Sequence, residues 1–232
     1  MSTIAIIPAR GGSKSIKNKN IQTINSKPLI AWSIEQALNS SEISEVYVST
    51  DSQKIASIAS NYGAKIPFLR PPEISDDFST TEEAMLHFSN WLVENKKSCD
   101  NLVLIQATSP IRASHRFDDA IKKFKKSKKD SLVTVCQTHR FFWRADNTPM
   151  ANYDFRNRPR RQDILSKDKL FLETGSFYVS KFEKFLEYQN RLFDDIYLYE
   201  TPYIETFEID DEIDLQICEA LLKYGMNHED YN

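Results

Sequence analysis

A glycine-containing loop near the start of the chain has the residue types that bind phosphate. An apolar run over residues 4–7 predicts a buried strand, and the loop follows it directly. Its glycines, hydroxyl and cations are Arg10, Gly11, Gly12, Ser13, Lys14 and Lys19. Gly11 and Gly12 allow positive φ and close backbone approach, so successive N–H groups can point at phosphate oxygens. The spacing matches neither a Walker A motif nor a GxGxxG fingerprint, and a solvated turn is an equally good interpretation of the pattern alone.

Two carboxylates near the other end of the chain have the spacing of a metal-binding pair. In Glu208-Ile209-Asp210, alternation along an extended segment places both acids on one side. Mg²⁺ prefers hard oxygen ligands and commonly takes one or two carboxylates together with substrate phosphates. On spacing alone, a solvent-facing Glu208 and a helix-capping Asp210 are equally plausible. Asp211 and Asp214 are better explained as acids at the positive end of the last helix.

A third group that could bind an anion is the arginine cluster Arg158, Arg160 and Arg161. The guanidinium fork suits carboxylates and phosphates, and three such charges repel one another unless an anion lies nearby. A solvated loop explains the composition equally well. The sequence contains no G-x-S-x-G elbow, so a serine-hydrolase triad is not indicated.

The composition describes a globular protein of 232 residues with a formal net charge of −3. That length fits one domain, and the charge argues against a general partner among nucleic acids or membrane surfaces. Three cysteines without CxxC spacing indicate reduced thiols rather than a disulfide framework or a zinc site. With no signal-peptide pattern and no apolar run near the ~20 residues of a membrane span, we expect a cytoplasmic location.

Strands and helices alternate over the first ~130 residues, which predicts an α/β fold with a mainly parallel sheet and helices on both faces. The predicted strands lie at residues 4–7, 46–50, 65–69, 102–105, 131–136, 177–179, 196–199 and 203–209. The predicted helices lie at residues 28–38, 53–62, 80–95, 117–124, 181–189 and 212–224. Ligands bind at the carboxyl ends of strands in such sheets, where the glycine loop, Asp51, Arg70 and Gln106 should converge.

The alternation breaks between His139 and Lys169, where the sequence is rich in Arg, Asn, Asp, Pro and aromatic residues. An irregular insertion of ~30 residues is uncommon inside a compact domain, so this segment should be a lid, a small β lobe or a subunit contact. We therefore expect a single domain over residues 1–232 with an inserted lobe at 139–170.

Several motifs in order along the chain resemble those of the CMP-sialic acid synthetases, or acylneuraminate cytidylyltransferases. The matching segments are Ile7 to Lys14, Lys17 to Asn20, Lys27 to Ile30, Val48 to Asp51, Gly63-Ala64, Arg70-Pro71, Gln106 to Arg112, Arg161 to Asp163, Gly175 to Tyr178 and Glu208 to Asp210. Together they cover almost the whole chain, and the ordered set is far more specific than any single motif.

The resemblance implies that CTP and a nine-carbon 2-keto sugar acid react to give a CMP-sugar and pyrophosphate. By the family pattern, Arg10, Ser13, Lys14 and Lys19 hold the triphosphate, and Asn20 also contacts the nucleotide. The resemblance further implies that Arg70 and Thr81 read cytosine, and that Gln106, Arg161 and Tyr178 face the sugar. Glu208 and Asp210 match the pair that binds Mg²⁺, with Asp210, Arg10 and Lys19 closest to the chemistry. The irregular segment matches a dimerisation lobe that reaches into the partner's active site, which implies a homodimer.

The sequence departs from the family pattern at several points. The usual Asp-Ile-Asp is Glu208-Ile209-Asp210 here, and the usual Gln-Pro-Thr-Ser-Pro begins Gln106-Ala107. Two changes lie on the sugar side: the usual Asn-Gly is Thr174-Gly175, and Arg161 stands a few residues farther from it. They leave open whether the sugar is N-acetylneuraminate itself or a relative such as legionaminic, pseudaminic, deaminated or eight-carbon acids. The alternatives are a transferase for 3-deoxy-manno-octulosonate or its amino derivative, a catalytically silent nucleotide-binding scaffold, and a sugar transferase that consumes a nucleotide-sugar.

Overall fold

The computed structural model describes residues 2–145, 148–165 and 168–227. Its strands are β1 (Thr3–Pro8), β2 (Thr23–Ile24), β3 (Lys27–Pro28), β4 (Glu45–Ser49), β5 (Asn101–Ile105), β6 (Ser131–Thr138), β7 (Trp143–Arg144), β8 (Met150–Ala151), β9 (Leu170–Lys181) and β10 (Ile196–Glu200). Its α-helices are α1 (Leu29–Leu38), α2 (Gln53–Asn61), α3 (Thr81–Glu94), α4 (Arg116–Ser127), α5 (Phe182–Tyr188) and α6 (Glu212–Asn227).

A six-stranded sheet in the order β10-β6-β9-β5-β1-β4 forms the centre of the molecule. β4 and β5 pair in parallel with β1, and β10 pairs in parallel with β6. Only β9 in this sheet runs the other way, since it pairs antiparallel with both β5 and β6. The mainly parallel α/β sheet predicted from the alternation of strands and helices is confirmed.

Two apolar cores cover the two faces of the sheet. On one face, Ala5 and Ile7 pack with residues of α1, α2 and α4. On the other, Ile4 and Ile6 pack with residues of α3 and α5. This alternation along β1 is the period of two that puts successive side chains on opposite faces, and it produces three layers.

Helix α3 begins at a complete capping box, as the run of Thr and Glu residues predicts. The Thr80 hydroxyl accepts a hydrogen bond from the Glu83 backbone N–H at 3.1 Å, and the Glu83 carboxylate accepts one from the Thr80 N–H at 2.6 Å. Helix α2 begins behind Ser52, whose hydroxyl accepts from the Ile55 N–H. These caps fix where each helix starts at the edge of the sheet.

Two predicted strands are wrong. Residues 65–69 form only isolated bridges, from Lys65 to Tyr47 and from Leu69 to Thr50, because Pro67 between them has no N–H to donate. Residues 203–209 begin with a 3₁₀ helix, Tyr203–Thr206, and continue as an extended segment outside the sheet. The strand predicted at 177–179 is much longer, since β9 begins at Leu170.

The irregular insertion lies between β6 and β9. Of the predicted lobe at 139–170, residues 146, 147, 166 and 167 lie outside the described residues, and the rest contains the β7–β8 hairpin and a 3₁₀ turn at Arg161–Asp163. Aromatic side chains pack on one another beside the hairpin, with the rings of Phe141 and Tyr153 centred 4.1 Å apart. Within the described residues, no helix combines the length and apolar character needed to cross a membrane.

Candidate active site

A cleft of about 430 Å³ opens at the carboxyl edge of the sheet. It is lined by eight of the predicted site residues: Arg10, Ser13, Lys14, Lys19, Asn20, Arg70, Thr81 and Gln106. They come from four separate parts of the sequence: the loop after β1, the segment at Arg70 after the bridge between Leu69 and Thr50, the first turn of α3, and the end of β5. The structure therefore brings together the predicted phosphate-binding and base-reading residues with one residue of the sugar side.

The glycine loop is bonded to a carboxylate that follows the neighbouring strand β4. The Gly11 N–H donates to Asp51 Oδ1 at 2.8 Å, and a Cβ on Gly11 would lie 3.1 Å from the Cβ of Ser52. Gly11 is thus needed for close packing of the loop. Neither Gly11 nor Gly12 has a positive φ; in this loop Asn18 adopts that conformation, at 57°. The glycines therefore provide the close backbone approach and do not use the positive φ that they allow.

Two of the loop's cations pair with an acidic residue that the sequence did not single out. Arg10 Nη1 and Lys14 Nζ each lie 2.9 Å from an Asp77 carboxylate oxygen, and Arg10 also donates to the Asp76 carbonyl at 2.6 Å. The Lys14 and Arg10 contacts lower the pKa of Asp77. No local pattern signals these partners, because Asp76 and Asp77 sit in a turn 66 residues along the chain from Arg10.

Replacing Asp77 by Asn should lower the KM for CTP about two- to fivefold, because its carboxylate competes with a triphosphate for the same two cations. Initial rates at varied CTP concentration test this. Asp194→Asn is the control, since Asp194 also pairs with a lysine and is similarly exposed, at 34% against 37%. A higher KM in Asp77→Asn would show that Asp77 supports nucleotide binding.

Lys19 joins the loop to the C-terminal carboxylates. Its ammonium is nearly buried and donates to the carbonyls of Ile209 and Asp210 at 2.8 and 3.1 Å. It also lies 3.4 Å from Asp210 Oδ1. Segments about 190 residues apart in sequence therefore meet at one positive charge.

The carboxylate pair is built on the extended segment before α6. The Ile209 N–H donates to the Thr108 carbonyl at 2.8 Å and Ile209 is buried, whereas Glu208 and Asp210 are both solvent-accessible. Asp211 and Asp214 accept hydrogen bonds from the backbone at the start of α6, as expected for acids at a helix N-terminus.

Glu208 lies against a glycine that cannot be replaced without strain. Gly175 has φ +64°, and a Cβ there would lie 3.2 Å from Glu208 Oε2 and 3.8 Å from Gln106 Oε1. Partial burial, followed by the charges of Asp210 and Asp214, raises the pKa of Glu208, and Lys19 opposes this only in part. Three acidic side chains, Glu208, Asp210 and Asp214, thus act on one another in this segment, and Lys19 is the cation that opposes them. Among the described residues, no group of three or more His, Cys, Asp or Glu side chains is arranged to bind a metal ion.

The side of the cleft that is predicted to bind the base is formed by Arg70 and the first turn of α3. Arg70 is buried, donates from Nε to Ser75 Oγ at 3.0 Å, and is fixed by its N–H to the Thr50 carbonyl at 2.7 Å. Burial lowers its pKa, although Asp51 acts in the opposite direction. Thr81 is the first residue of α3 and lines the same cleft.

If Thr81 reads the base, Thr81→Val should raise the KM for CTP about three- to tenfold, with little change in kcat. This is the effect expected from the loss of one hydrogen bond. Valine keeps the shape of threonine and removes only the hydroxyl. Thr23→Val is the control, because Thr23 is exposed and does not line the cleft. An unchanged KM in Thr81→Val would remove this residue from base recognition.

The three residues that are predicted to face the sugar are not all brought together. Gln106 lines the cleft, whereas Tyr178 is buried in the core beneath it and donates its hydroxyl to Glu173. Arg161 lies outside this cleft and lines a second cavity of about 350 Å³ with His139, Lys169 and Tyr203. The structure therefore separates Arg161 from the residues with which it was predicted to act.

Within the arginine cluster, each member has a different environment. The Arg158 guanidinium lies 4.4 Å from the Phe141 ring centre, and Arg160 pairs with Asp163 at 2.6 Å. The Arg161 side chain has no hydrogen bond or ion pair with the part of the chain that the structure describes. The aromatic contact and the Asp163 pair offset the repulsion expected for three adjacent arginines.

Arg112 is a further important residue, which the sequence offered only as part of a motif. It is buried and donates to the Gln106 carbonyl at 2.9 Å and to the Ser176 carbonyl and hydroxyl, each at 2.8 Å. Ser33 and Gln36 accept its remaining hydrogen bonds. Burial lowers the pKa of Arg112 to about 9. It fixes the backbone on both sides of the sugar end of the cleft, and only its place in the Gln106 to Arg112 motif could have suggested this.

Comparison of the sequence with known proteins identifies the family of this chain. The sequence model of the Cytidylyltransferase family matches residues 4–231. The chain is 32% identical over 234 residues to the pseudaminic acid cytidylyltransferase of Campylobacter jejuni subsp. jejuni serotype O:23/36 (strain 81-176), covering 99% of each chain. It is 35% identical over 228 residues to N-acylneuraminate cytidylyltransferase B of Danio rerio, covering 95% of this chain and 52% of that protein.

A solved structure shows the same fold. The CTP complex of CMP:2-keto-3-deoxy-manno-octonic acid synthetase superposes with a TM-score of 0.71 at 16% identity, covering 97% of this chain and 99% of that one. At this identity the similarity concerns the fold alone. The match over almost the whole length, together with the cleft at the carboxyl edge of the sheet, shows that the chain belongs to the cytidylyltransferase family.

Proposed function

We propose that this protein transfers the cytidylyl group of CTP to a nine-carbon 2-keto sugar acid, giving a CMP-sugar and pyrophosphate. The observation that carries the proposal is that one cleft unites three cations of the glycine loop with Arg70, Thr81 and Gln106. The relatives named for pseudaminic acid and N-acylneuraminate support the class of sugar.

The reaction is a displacement at the α-phosphorus of CTP. The anomeric hydroxyl oxygen of the sugar forms a bond to that phosphorus, the bond to the bridging oxygen of the β-phosphate breaks, and the hydroxyl proton is released. Such a transfer depends chiefly on positioning and charge stabilisation. Arg10 and Lys14 would hold the phosphates that leave, while Lys19 would supply positive charge between them and Asp210.

Glu208 and Asp210 would hold a Mg²⁺ ion. The fit rests on their hard oxygen donors and on the position of Glu208, where partial burial and then the charges of Asp210 and Asp214 raise its pKa. Mg²⁺ bound there would polarise the α-phosphate and make the sugar hydroxyl a better nucleophile. Lys19 already bonds the backbone of this segment, so it would keep the pair beside the phosphates.

The Thr174-Gly175 segment bears on which sugar acids are candidate substrates. The Thr174 side chain is buried and hydrogen-bonded to Thr134 Oγ1 at 2.8 Å, so it faces the sheet rather than a substrate. This side chain therefore does not take the place of the asparagine that sialic acid enzymes commonly carry at this position. We therefore include pseudaminic and legionaminic acids beside N-acetylneuraminate as candidate substrates.

We further propose a homodimer in which the lobe completes the partner's sugar site. Support comes from the exposed apolar side chains of the lobe and its flanks, among them Trp143, Met150 and Phe155 at 52–60% exposure. Arg161 is on the same lobe and free to bind an acid outside its own chain's cleft. Sedimentation equilibrium tests the dimer.

A cytoplasmic location stays a prediction, supported by the free thiols of Cys99, Cys136 and Cys218.

The proposal is tested by following pyrophosphate release from CTP and Mg²⁺ with a panel of nine-carbon and eight-carbon keto sugar acids. Release with a nine-carbon acid is the expected result. Release only with 3-deoxy-manno-octulosonate or its amino derivative would show that the substrate is an eight-carbon acid instead. CTP binding without release for every sugar would favour the silent scaffold.

A further inference from the structure

A row of four side chains runs from the base side of the cleft to the sugar side, behind the cleft wall. Its members are Glu82, Arg191, Tyr178 and Glu173, here called the Arg191 network. Arg191 Nε and Nη2 donate to the two Glu82 carboxylate oxygens at 2.5 and 2.9 Å. The Arg191 guanidinium lies 5.1 Å from the centre of the Tyr178 ring, and the Tyr178 hydroxyl donates to Glu173.

Arginine is the side chain that this arrangement requires. The two hydrogen bonds to Glu82 use the planar fork, and the same guanidinium also lies over the Tyr178 ring. Burial alone would raise the pKa of Glu82, but the Arg191 charge outweighs it and the pKa is lowered. Glu82 and Arg191 therefore form a charged pair, and a lysine could not make both contacts in this geometry.

Each end of the network is attached to a wall of the cleft. Glu82 directly follows Thr81, the first residue of α3, which lines the cleft. At the other end, Tyr178 on β9 pairs with Leu104 on β5, and Leu104 also lines the cleft. Farther along β9, Gly175 lies between Gln106 and Glu208. One guanidinium thus bridges the turn beside the base and the strand beside the sugar.

We propose that Arg191 is a positioning residue that couples the nucleotide side of the cleft to the sugar side. This inference rests on the proposed function, because it assigns the two walls to the two substrates. Arg191 does not line the cleft within the described residues, so it acts by holding Thr81 and Tyr178 in place. Its loss should weaken the binding of both substrates, although it touches neither.

The test is two-substrate kinetics on Arg191→Met beside a matched control. The control is Lys125→Met. Lys125 pairs with Glu42 at 2.7 Å, and neither residue lines the cleft. The two pairs are equally buried, with side-chain exposures of 21% and 24% for Arg191 and Glu82 and of 23% and 19% for Lys125 and Glu42. The KM for CTP and the KM for the sugar acid are measured with the other substrate saturating, and the Tm of each variant is recorded.

We expect both KM values to rise at least fivefold in Arg191→Met and to stay unchanged in Lys125→Met. Arg191→Lys should recover little, because it lacks the fork. Glu82→Gln should raise both KM values as well, and the double variant should be no worse than the more affected single variant. A lower Tm with both KM values unchanged would show that Arg191 is only structural, and a change in one KM alone would overturn the coupling.

A separate measurement distinguishes this inference from the proposed function. The dissociation constant for CTP, measured by calorimetry without sugar, should rise in Arg191→Met and not in Lys125→Met. If the wild-type protein bound CTP but released no pyrophosphate with any sugar, the proposed function would be contradicted. The CTP dissociation constant of Arg191→Met would then still test the nucleotide half of the inference, and an unchanged value would overturn it.

Discussion

Asp210→Asn is expected to lower kcat by a factor of about 10³, the scale on which a group that stabilises transition-state charge contributes. Asp210 lies where the C-terminal carboxylates meet Lys19, with 3.4 Å between Lys19 Nζ and Asp210 Oδ1. If the pair holds a cation as proposed, removing the charge of Asp210 would deprive the α-phosphate of it. The backbone bonds of this segment to Lys19 and Asp214 remain, so the fold should be retained.

The measurement is a steady-state assay of pyrophosphate release, with thermal unfolding of the same preparation as a check on folding. Asp211→Asn is the control, because Asp211 is adjacent in sequence and its carboxylate accepts hydrogen bonds from the backbone of α6. That variant should keep most of the activity and lose some stability. Full activity in Asp210→Asn would exclude this residue from the chemistry.

Glu208→Gln should change activity and stability in opposite directions. Because the pKa of Glu208 is raised in the folded protein, folding favours its protonated form. Ionisation of Glu208 therefore lowers the free energy of unfolding as the pH rises from 4.5, the ordinary pKa of a glutamate, through the raised pKa. Glutamine removes that penalty, so the Tm at neutral pH should increase while kcat falls about a hundredfold or more.

The same residue should set the acid limb of the pH–rate profile. A carboxylate must be ionised to bind a cation, so activity should fall as the pH drops through the raised pKa of Glu208, above the ordinary range of a glutamate. Glu208→Asp should restore activity in part. A Tm in Glu208→Gln that is lower at neutral pH would show that Glu208 is satisfied by a partner in the fold.

The features that could be predicted from the sequence are those encoded locally. The alternation of apolar runs gave the parallel sheet, and the capped start of α3 followed from Thr80 and Glu83. The convergence of the loop, Arg70 and Gln106 followed from a general property of such sheets, that loops after strands share one edge. None of these steps required knowledge of distant contacts.

The wrong strand at 65–69 has a local cause in Pro67, whereas the wrong strand at 203–209 arose because a tertiary contact outweighed the local pattern. The segment at 203–209 alternates like a strand, but Glu205 turns inward and its carboxylate pairs with the buried Arg116 at 2.6 Å. A 3₁₀ turn places Glu205 there, and no periodicity in the sequence indicates it. The Asp77 pairs with Arg10 and Lys14, and the five hydrogen bonds of Arg112, likewise depend on residues far apart in the chain.

The most direct test of the proposed function is ³¹P NMR of the protein with CTP, Mg²⁺ and a nine-carbon keto sugar acid. The account predicts that the α-phosphorus signal of CTP is replaced by that of a phosphodiester, with one equivalent of pyrophosphate formed. Both changes should depend on the sugar. An unchanged CTP spectrum with every sugar of the panel, or pyrophosphate formed together with free CMP, would contradict transfer of the cytidylyl group to the sugar.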